Sequence, residues 1–195
     1  MLRPTIATLL WLAVLAGCAD PIGHAPPDAG PTDIPGTGKV RTARASDGTY
    51  TTLVDATSMT DWVYADFTAG TVVTVDDAWD LRFQRFHIST NGGVSGARGV
   101  AVAPITDAAF AEVTEAPATG YLSDTEDADG DGMPDYAFDQ GDAWYDYDDM
   151  THVLTAKPIV WVMKRADGAA LKLQILKYYD TAGTAGWFTL HWATL

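Results

Sequence analysis

Cysteine is almost absent from the chain. One cysteine, Cys18, occurs among 195 residues, so no disulfide can form within the chain. The folded part must therefore depend on a hydrophobic core. Hydrophobic residues make up 47% of the chain and aromatic residues 11%, which is ample material for one domain of this size. Aromatic residues also favour half-buried β-strands.

Basic residues are missing from a long part of the chain. No Lys or Arg lies between Gly99 and Ala156, although this span holds fourteen acidic residues, and the net charge of the chain is −14. Such a surface repels phosphate backbones, so nucleic acid is excluded as an expected partner. Divalent cations and basic surfaces are the partners that it attracts.

The chain also lacks an apolar run long enough to span a bilayer. The longest run, at 6–15, follows Arg3 and ends in the small pair Ala16-Gly17, which is typical of a signal peptide. Leu15-Ala16-Gly17-Cys18 resembles the lipobox of bacterial lipoproteins. The sequence therefore predicts a signal peptide at 1–17 and a lipid anchor on Cys18. An ordinary signal peptide followed by an incidental cysteine is the alternative.

Residues 18–40 are rich in proline and poor in bulky apolar side chains. Five of the ten prolines of the chain lie here. Such a segment cannot offset its ordering entropy by burial, so it is predicted to be a disordered tether. The folded domain is expected at 41–195.

Short segments of alternating apolar and polar residues, separated by turn residues, fill this domain. The alternation slips at Arg85-Phe86, which predicts a β-bulge, and Asp167-Gly168 is typical of a hairpin turn. The fold class expected is all-β, a single antiparallel sheet or sandwich-like domain with an acidic loop insert at 124–139. Strands are predicted at 49–54, 62–67, 71–75, 79–88, 99–103, 159–164, 171–179 and 187–193, with a small helix at 106–114.

The acidic insert has the spacing of a calcium loop. Asp127, Asp129, Asp131 and Asp135 occupy positions 1, 3, 5 and 9, and Gly132 occupies position 6, where a sharp turn is needed. The backbone carbonyl of Met133, at position 7, is a further candidate ligand. Phe138 replaces the glutamate that an EF-hand carries at position 12. The loop is therefore interpreted as a free-standing Ca²⁺ site, with a solvated acidic turn as the alternative.

Motifs for catalysis are absent. The order of Ser, His, Cys and Asp residues matches no nucleophilic triad, and no His-Glu-x-x-His zinc motif occurs. A protein without enzymatic activity is expected.

Three parts of the domain resemble the HmuY family of haem-binding bacterial lipoproteins. They are the Trp79–Phe83 segment followed by Thr90-Asn91-Gly92-Gly93, the segment Trp144–Tyr147 leading to Thr151–Thr155, and Val162–Tyr179. The resemblance implies an all-β HmuY-type domain on the outer membrane, exposed to the periplasm or the cell surface. It also implies haem or porphyrin as ligand, and an outer-membrane receptor or a haemoprotein as further partner.

The family holds haem between two axial His or Met side chains. His152 lies in a matching segment and Met150 lies beside it, so these two residues are the candidate ligands. Met133 and Tyr121 are further possibilities by position alone. The alternative function is a calcium-stabilised β-domain that binds protein or glycan partners without haem.

Overall fold

The computed structural model describes residues 34–68 and 71–195, apart from the side chains of 71–73. The predicted signal peptide at 1–17, Cys18 and the tether up to residue 33 lie outside the described residues. Ile34 is buried, and β1 begins at Val40. Within the described ranges no helix has the length and apolar character needed to cross a bilayer.

The larger of two main sheets has six strands, and every pairing in it is antiparallel. Its spatial order is β1-β2-β12-β11-β10-β7. The strands are β1 (Val40–Arg44), β2 (Tyr50–Asp55), β7 (Ala101–Ile105), β10 (Val160–Lys164), β11 (Ala170–Tyr179) and β12 (Ala185–Thr194).

The smaller sheet has four antiparallel strands in the order β4-β3-β5-β6. These strands are β3 (Val63–Asp66), β4 (Thr71–Val73), β5 (Leu81–Gln84) and β6 (His87–Thr90). A separate hairpin pairs β8 (Tyr145–Asp148) with β9 (Val153–Ala156). The fold is therefore all-β and antiparallel, as the sequence predicts.

The core lies between the two sheets. Alternate residues of each strand point to the same side of a sheet, and the residues on the inner faces are the buried ones. Val63 and Ala65 of β3 and Leu81 and Phe83 of β5 are buried, while the residues between them are half-buried. Phe83 meets Phe188 of β12 with 5.3 Å between ring centroids. A packing of one sheet on the other accounts for this alternation.

Two local predictions are wrong. Arg85 and Phe86 do not form a bulge. They are the two residues of a tight turn, because Gln84 of β5 pairs with His87 of β6. The helix expected at 106–114 is a single 3₁₀ turn at Phe110–Glu112. This turn packs on Val160 and Val162, on the side of the large sheet away from the core.

The acidic insert is fixed to β6 by a buried carboxylate. Asp124 is 1% exposed and accepts hydrogen bonds from Ser89 Oγ (2.7 Å), Thr90 Oγ1 (3.0 Å), the backbone N–H of Thr90 (3.2 Å) and that of Ala137 (3.0 Å). Because Ala137 lies at the far end of the insert, one carboxylate joins both ends of the insert to the sheet.

Candidate functional site

A groove lies between the β8–β9 hairpin, the β5–β6 turn and the ends of β11 and β12. Its volume is about 470 Å³, within the range of small-molecule sites. We call it the aromatic groove, because five of its lining residues are aromatic. It is lined by Phe86, Tyr145, Tyr147, Tyr178, Tyr179, Arg85, His152, Leu154 and Ala185.

His152 reaches this groove from the loop that joins β8 to β9. Asp148 Oδ1 accepts the backbone N–H of Met150 (2.9 Å) and that of Thr151 (3.1 Å), and Asp148 O accepts the N–H of His152 (2.7 Å). These bonds close the loop and hold His152 at φ 57°. The left-handed conformation is disfavoured for residues with a Cβ, so the loop contacts fix its position.

The imidazole of His152 is coupled to a phenol of the same hairpin. Tyr147 Oη and His152 Nδ1 lie 2.5 Å apart and share a hydrogen bond. Among the described residues, none forms a hydrogen bond with His152 Nε2. In the tautomer in which Nδ1–H donates to Tyr147 Oη, Nε2 keeps its lone pair and can bind a metal.

Arg85 brings positive charge to the same groove. It lies at φ 51° in the β5–β6 turn. Its backbone N–H donates to Ala56 O (2.8 Å), and its guanidinium Nη1 contacts Thr57 O (3.4 Å) and Ala185 O (3.2 Å). Arg85 and His152 are the non-glycine residues with positive φ in the described parts of the chain, and both line this groove.

The other candidate haem ligands lie elsewhere. Met150 is 86% exposed at the tip of the hairpin and does not line the groove. Met133 lines a separate cavity beside the acidic loop. Tyr121, which precedes the bridge between Leu122 and Val102, does not line the groove either. The structure thus brings His152, but none of these three, to the groove.

The sequence motifs do not identify three residues of the groove, Arg85, Tyr178 and Tyr179, as site residues. Strand β11, which carries both tyrosines, is predicted, whereas Arg85 lies in a tight turn where a bulge is predicted. The groove forms only where two strand ends meet the β8–β9 hairpin. Tyr179 Oη accepts the backbone N–H of Leu154 at 3.0 Å, which fixes the hairpin to β11. A tertiary contact of this kind leaves no local signal in the sequence.

The acidic loop brings three carboxylates together. One ligand oxygen from each of Asp127, Asp129 and Asp131 lies within 4.8 Å of the others, and all three residues are exposed. Hydrogen bonds from the backbone N–H groups of Gly132 and Gly130 lower the pKa of Asp127, which favours its charged form. Three close carboxylates form a surface that attracts a hard divalent cation.

The remaining parts of the predicted calcium site lie beside this cluster. The backbone of Asp135 pairs with that of Thr125, and the contact of its Oδ2 with the N–H of Ala128 is long, at 3.4 Å. Asp129, Asp131, Met133 and Asp135 line one cavity of about 340 Å³. Met133 donates its backbone N–H to Asp131 Oδ1 (2.8 Å), so this residue also closes the loop.

His87 and Asp139 also line that cavity. His87 Nδ1 lies 3.9 Å from Asp139 Oδ2, which is too long for a hydrogen bond. Burial raises the pKa of Asp139. The sequence motifs do not identify either residue, because the β5–β6 turn brings His87 to the insert only in the folded chain.

Comparison with solved structures shows which proteins share this fold. A "putative lipoprotein" of Bacteroides fragilis NCTC 9343 has a TM-score of 0.60 at 20% identity, over 81% of this chain and 97% of that one. A "putative HmuY_like heme binding protein" of Bacteroides vulgatus ATCC 8482 has a TM-score of 0.56 at 21% identity, over 74% and 90%. An apo HmuY analog of Tannerella forsythia has a TM-score of 0.57 at 16% identity, over 78% and 95%.

Comparison with protein families covers most of the domain. No curated protein matches this chain. The family described as HmuY protein matches residues 58–192, a range that holds β3 to β11 and most of β12, with the β8–β9 hairpin and the acidic insert. Because this range is well over half of the sequence, the chain belongs to the HmuY family.

Proposed function

We propose that this protein is a haemophore-like lipoprotein without enzymatic activity, and that haem or a related porphyrin binds in the aromatic groove. Membership of the HmuY family supports this proposal, as does a structural neighbour named as a haem-binding protein. The observation that carries it is the Tyr147–His152 pair in a groove with five aromatic side chains.

The groove supplies aromatic surface, one imidazole and one cation for haem. Aromatic side chains offer flat apolar surface for the porphyrin faces. His152 Nε2 would hold the iron, and the Nδ1 bond to Tyr147 Oη would set the direction of the ring. The Arg85 guanidinium is available to pair with a propionate, because its hydrogen bonds among the described residues go to backbone carbonyls.

A hemin titration tests the proposal. The wild-type chain is expected to shift and sharpen the Soret band of hemin at micromolar concentration. His152→Ala removes the axial nitrogen and is expected to weaken hemin binding by at least tenfold. Tyr147→Phe keeps the ring but removes the bond to Nδ1, and loss of a partner that orients a metal-binding histidine costs about 10–100-fold in affinity. His24→Ala, in the predicted tether, is the matched control and leaves binding unchanged.

Two outcomes count against different parts of this proposal. Wild-type protein without any spectral response at micromolar hemin would remove the haem function. A response that neither His152→Ala nor Tyr147→Phe changes would instead place the porphyrin outside the aromatic groove. Met150→Ala checks the second candidate ligand, and the exposed position of Met150 predicts no change.

We also propose that the acidic loop binds Ca²⁺. The three carboxylates within 4.8 Å favour this proposal. A cation bound by the folded state alone stabilises it by about 2.7 kcal/mol at a hundredfold excess over its Kd. Since about 1 kcal/mol moves the Tm of such a domain by about 2–4 °C, Ca²⁺ is expected to raise the Tm by several degrees.

Differential scanning fluorimetry in EDTA and in millimolar Ca²⁺ measures this shift. The double substitution Asp129→Ala with Asp131→Ala is expected to abolish it while the fold remains intact in EDTA. Asp107→Ala with Asp149→Ala removes the same charge from exposed positions outside the loop and keeps the shift. Equal Tm values for wild-type protein in EDTA and in Ca²⁺ would reduce the loop to a solvated acidic turn.

The two titrations also separate the two functions. A calcium shift without a hemin response supports the alternative of a calcium-stabilised domain that binds protein or glycan partners. A hemin response supports a role in delivering haem to an outer-membrane receptor, or in taking it from a haemoprotein. In both cases the proposed location is the bacterial outer membrane, to which the lipid on Cys18 attaches the domain.

A further inference from the structure

A row of four side chains crosses the large sheet on the face away from the core. The register pairs Arg41 with Leu53, Leu53 with Thr189, and Thr189 with Lys177, through β1, β2, β12 and β11. The sequence neighbours Val40, Val54, Phe188 and Tyr178 belong to the core between the sheets. Because successive residues of a strand face opposite sides, the row faces outward.

This row forms the floor and two ends of a cavity of about 340 Å³. Leu53 and Thr189 are buried in the floor. Trp187, two residues before Thr189 on the same strand, stands at the side of the cavity, and the guanidinium of Arg41 lies 5.5 Å from its ring centroid. The indole therefore holds one cationic end of the row in place.

The two cations of the row lack acidic partners. Among the described residues, no carboxylate lies within 4.0 Å of the charged nitrogens of Arg41 or Lys177, although the chain has a net charge of −14. Arg41 Nη1 donates to the backbone carbonyls of Ile34 (2.8 Å) and Gly36 (3.3 Å). Its Nε is buried and has no hydrogen-bond partner among the described residues.

One acidic residue, Asp180, lines the cavity, and its carboxylate accepts hydrogen bonds from the backbone of the β11–β12 turn. Asp180 Oδ1 accepts the backbone N–H groups of Ala182 (2.9 Å) and Thr184 (2.7 Å). These bonds hold the carboxylate in the β11–β12 turn. Within the described residues, the carboxylate of Asp180 therefore forms no ion pair with Arg41 or Lys177.

We propose that this outer cavity binds a small organic oxyanion, a carboxylate or a phosphate monoester such as a sugar acid or a sugar phosphate. The Cα atoms of Arg41 and Lys177 are three strand spacings apart, about 14 Å, and long side chains from both ends reach an anion over the floor. The guanidinium of Arg41 and the ammonium of Lys177 meet the oxyanion, and the hydroxyl of Thr189 meets the polar part of the solute. The site is separate from the aromatic groove, with Tyr179 between them.

Calorimetric titration of the full chain with D-glucuronate and with D-glucose 6-phosphate tests this proposal, with D-glucose as the neutral probe. At least one of the two anions is expected to bind, and glucose is not. Lys177→Gln is expected to weaken anion binding by about tenfold, the range of one charge-assisted hydrogen bond. Arg41→Gln is expected to do the same. Lys164→Gln removes one positive charge from an exposed position on β10 and leaves the affinity unchanged.

Three results would overturn the proposal. One is no binding of either anion, and another is equal loss in Lys177→Gln and Lys164→Gln. The third is co-sedimentation of the chain with phosphatidylglycerol vesicles, lost in Lys177→Gln, without binding of either soluble anion, which would make the row a membrane contact. The hemin titration of Lys177→Gln is expected to match that of wild type, so failure of this site and failure of the haem proposal are distinguishable.

Discussion

Replacing Asp124 tests the buried contact that holds the acidic insert against β6. Its two carboxylate oxygens accept four donors, two of them hydroxyls and two of them backbone N–H groups. Ser89, one of the hydroxyl partners, also accepts the N–H of Arg82 Nε at 3.0 Å, so its own proton is directed to Asp124. Asp124→Ala would leave all four donors without this acceptor in a site that excludes water.

The expected cost follows from these contacts. Hydrogen bonds to a charged group contribute about 1.5–3 kcal/mol each, and contributions within one network do not add fully. Loss of one partner from a buried charged network costs about 3–5 kcal/mol. Asp124→Ala is therefore expected to lower the free energy of unfolding by about 4 kcal/mol. Asp124→Asn keeps one acceptor oxygen and the shape of the side chain, and is expected to lower it by about 2 kcal/mol.

Urea denaturation of the two variants measures these losses, with wild type and Asp142→Ala as references. Asp142 lies at the exposed end of the same region and pairs with Lys157 at 2.7 Å. Such surface pairs contribute about 0–1 kcal/mol. This control therefore separates the effect of losing a buried carboxylate from the effect of losing one negative charge. A loss below about 1 kcal/mol in Asp124→Ala, or one equal to that of Asp142→Ala, would refute the assignment of Asp124 as the anchor of the insert.

Three further predictions concern the anchor, the boundary and the response to pH. Cys18→Ser is expected to move the protein from the membrane fraction to the soluble fraction or to leave the precursor uncleaved; a mature-size band still in the membrane fraction would contradict lipidation. Limited proteolysis followed by mass spectrometry is expected to cut before about residue 40 and to leave a stable core, whereas a first cut within 60–120 would contradict the boundary. Burial lowers the pKa of His191 below its ordinary value of 6.5, so the unfolded chain takes up the proton first as pH falls, and stability declines below pH 6.5. His191→Gln is expected to flatten this decline in thermal melts between pH 7.5 and 5, and an unchanged slope would contradict it.

The sequence predicts the central strands because the features that form them, apolar alternation and turn residues, lie within one short segment. The hairpin β10–β11 follows from alternating apolar residues on either side of Asp167-Gly168, and the turn stands where it is predicted. The three missed strands have other causes. β1 is an edge strand with half-buried residues, and β8 and β9 are exposed or half-buried along their length, so none of them shows the apolar alternation of a strand buried on one face.

The candidate sites also differ in whether their residues come from one segment or from distant parts of the sequence. The acidic loop is readable from spacing because all of its carboxylates come from one short segment, and the structure brings three of them within 4.8 Å. The outer row cannot be read in this way. Arg41 and Lys177 are at opposite ends of the domain sequence, and only the register of four strands places them on one line. The net charge of the chain gives no indication of a local positive site.

Backbone strain connects the fold to the proposed haem site. A left-handed residue with a Cβ costs about 1–2 kcal/mol, and a glycine at either position would avoid that cost. The β5–β6 turn and the β8–β9 loop instead carry Arg85 and His152, and backbone bonds to Ala56 O and Asp148 O hold them there. Both loops are short connections that a glycine would complete at lower energy. The side chains at these positions supply what a glycine cannot, a cation and an imidazole that line one aromatic groove, and the proposed haem site uses the first for a propionate and the second for the iron.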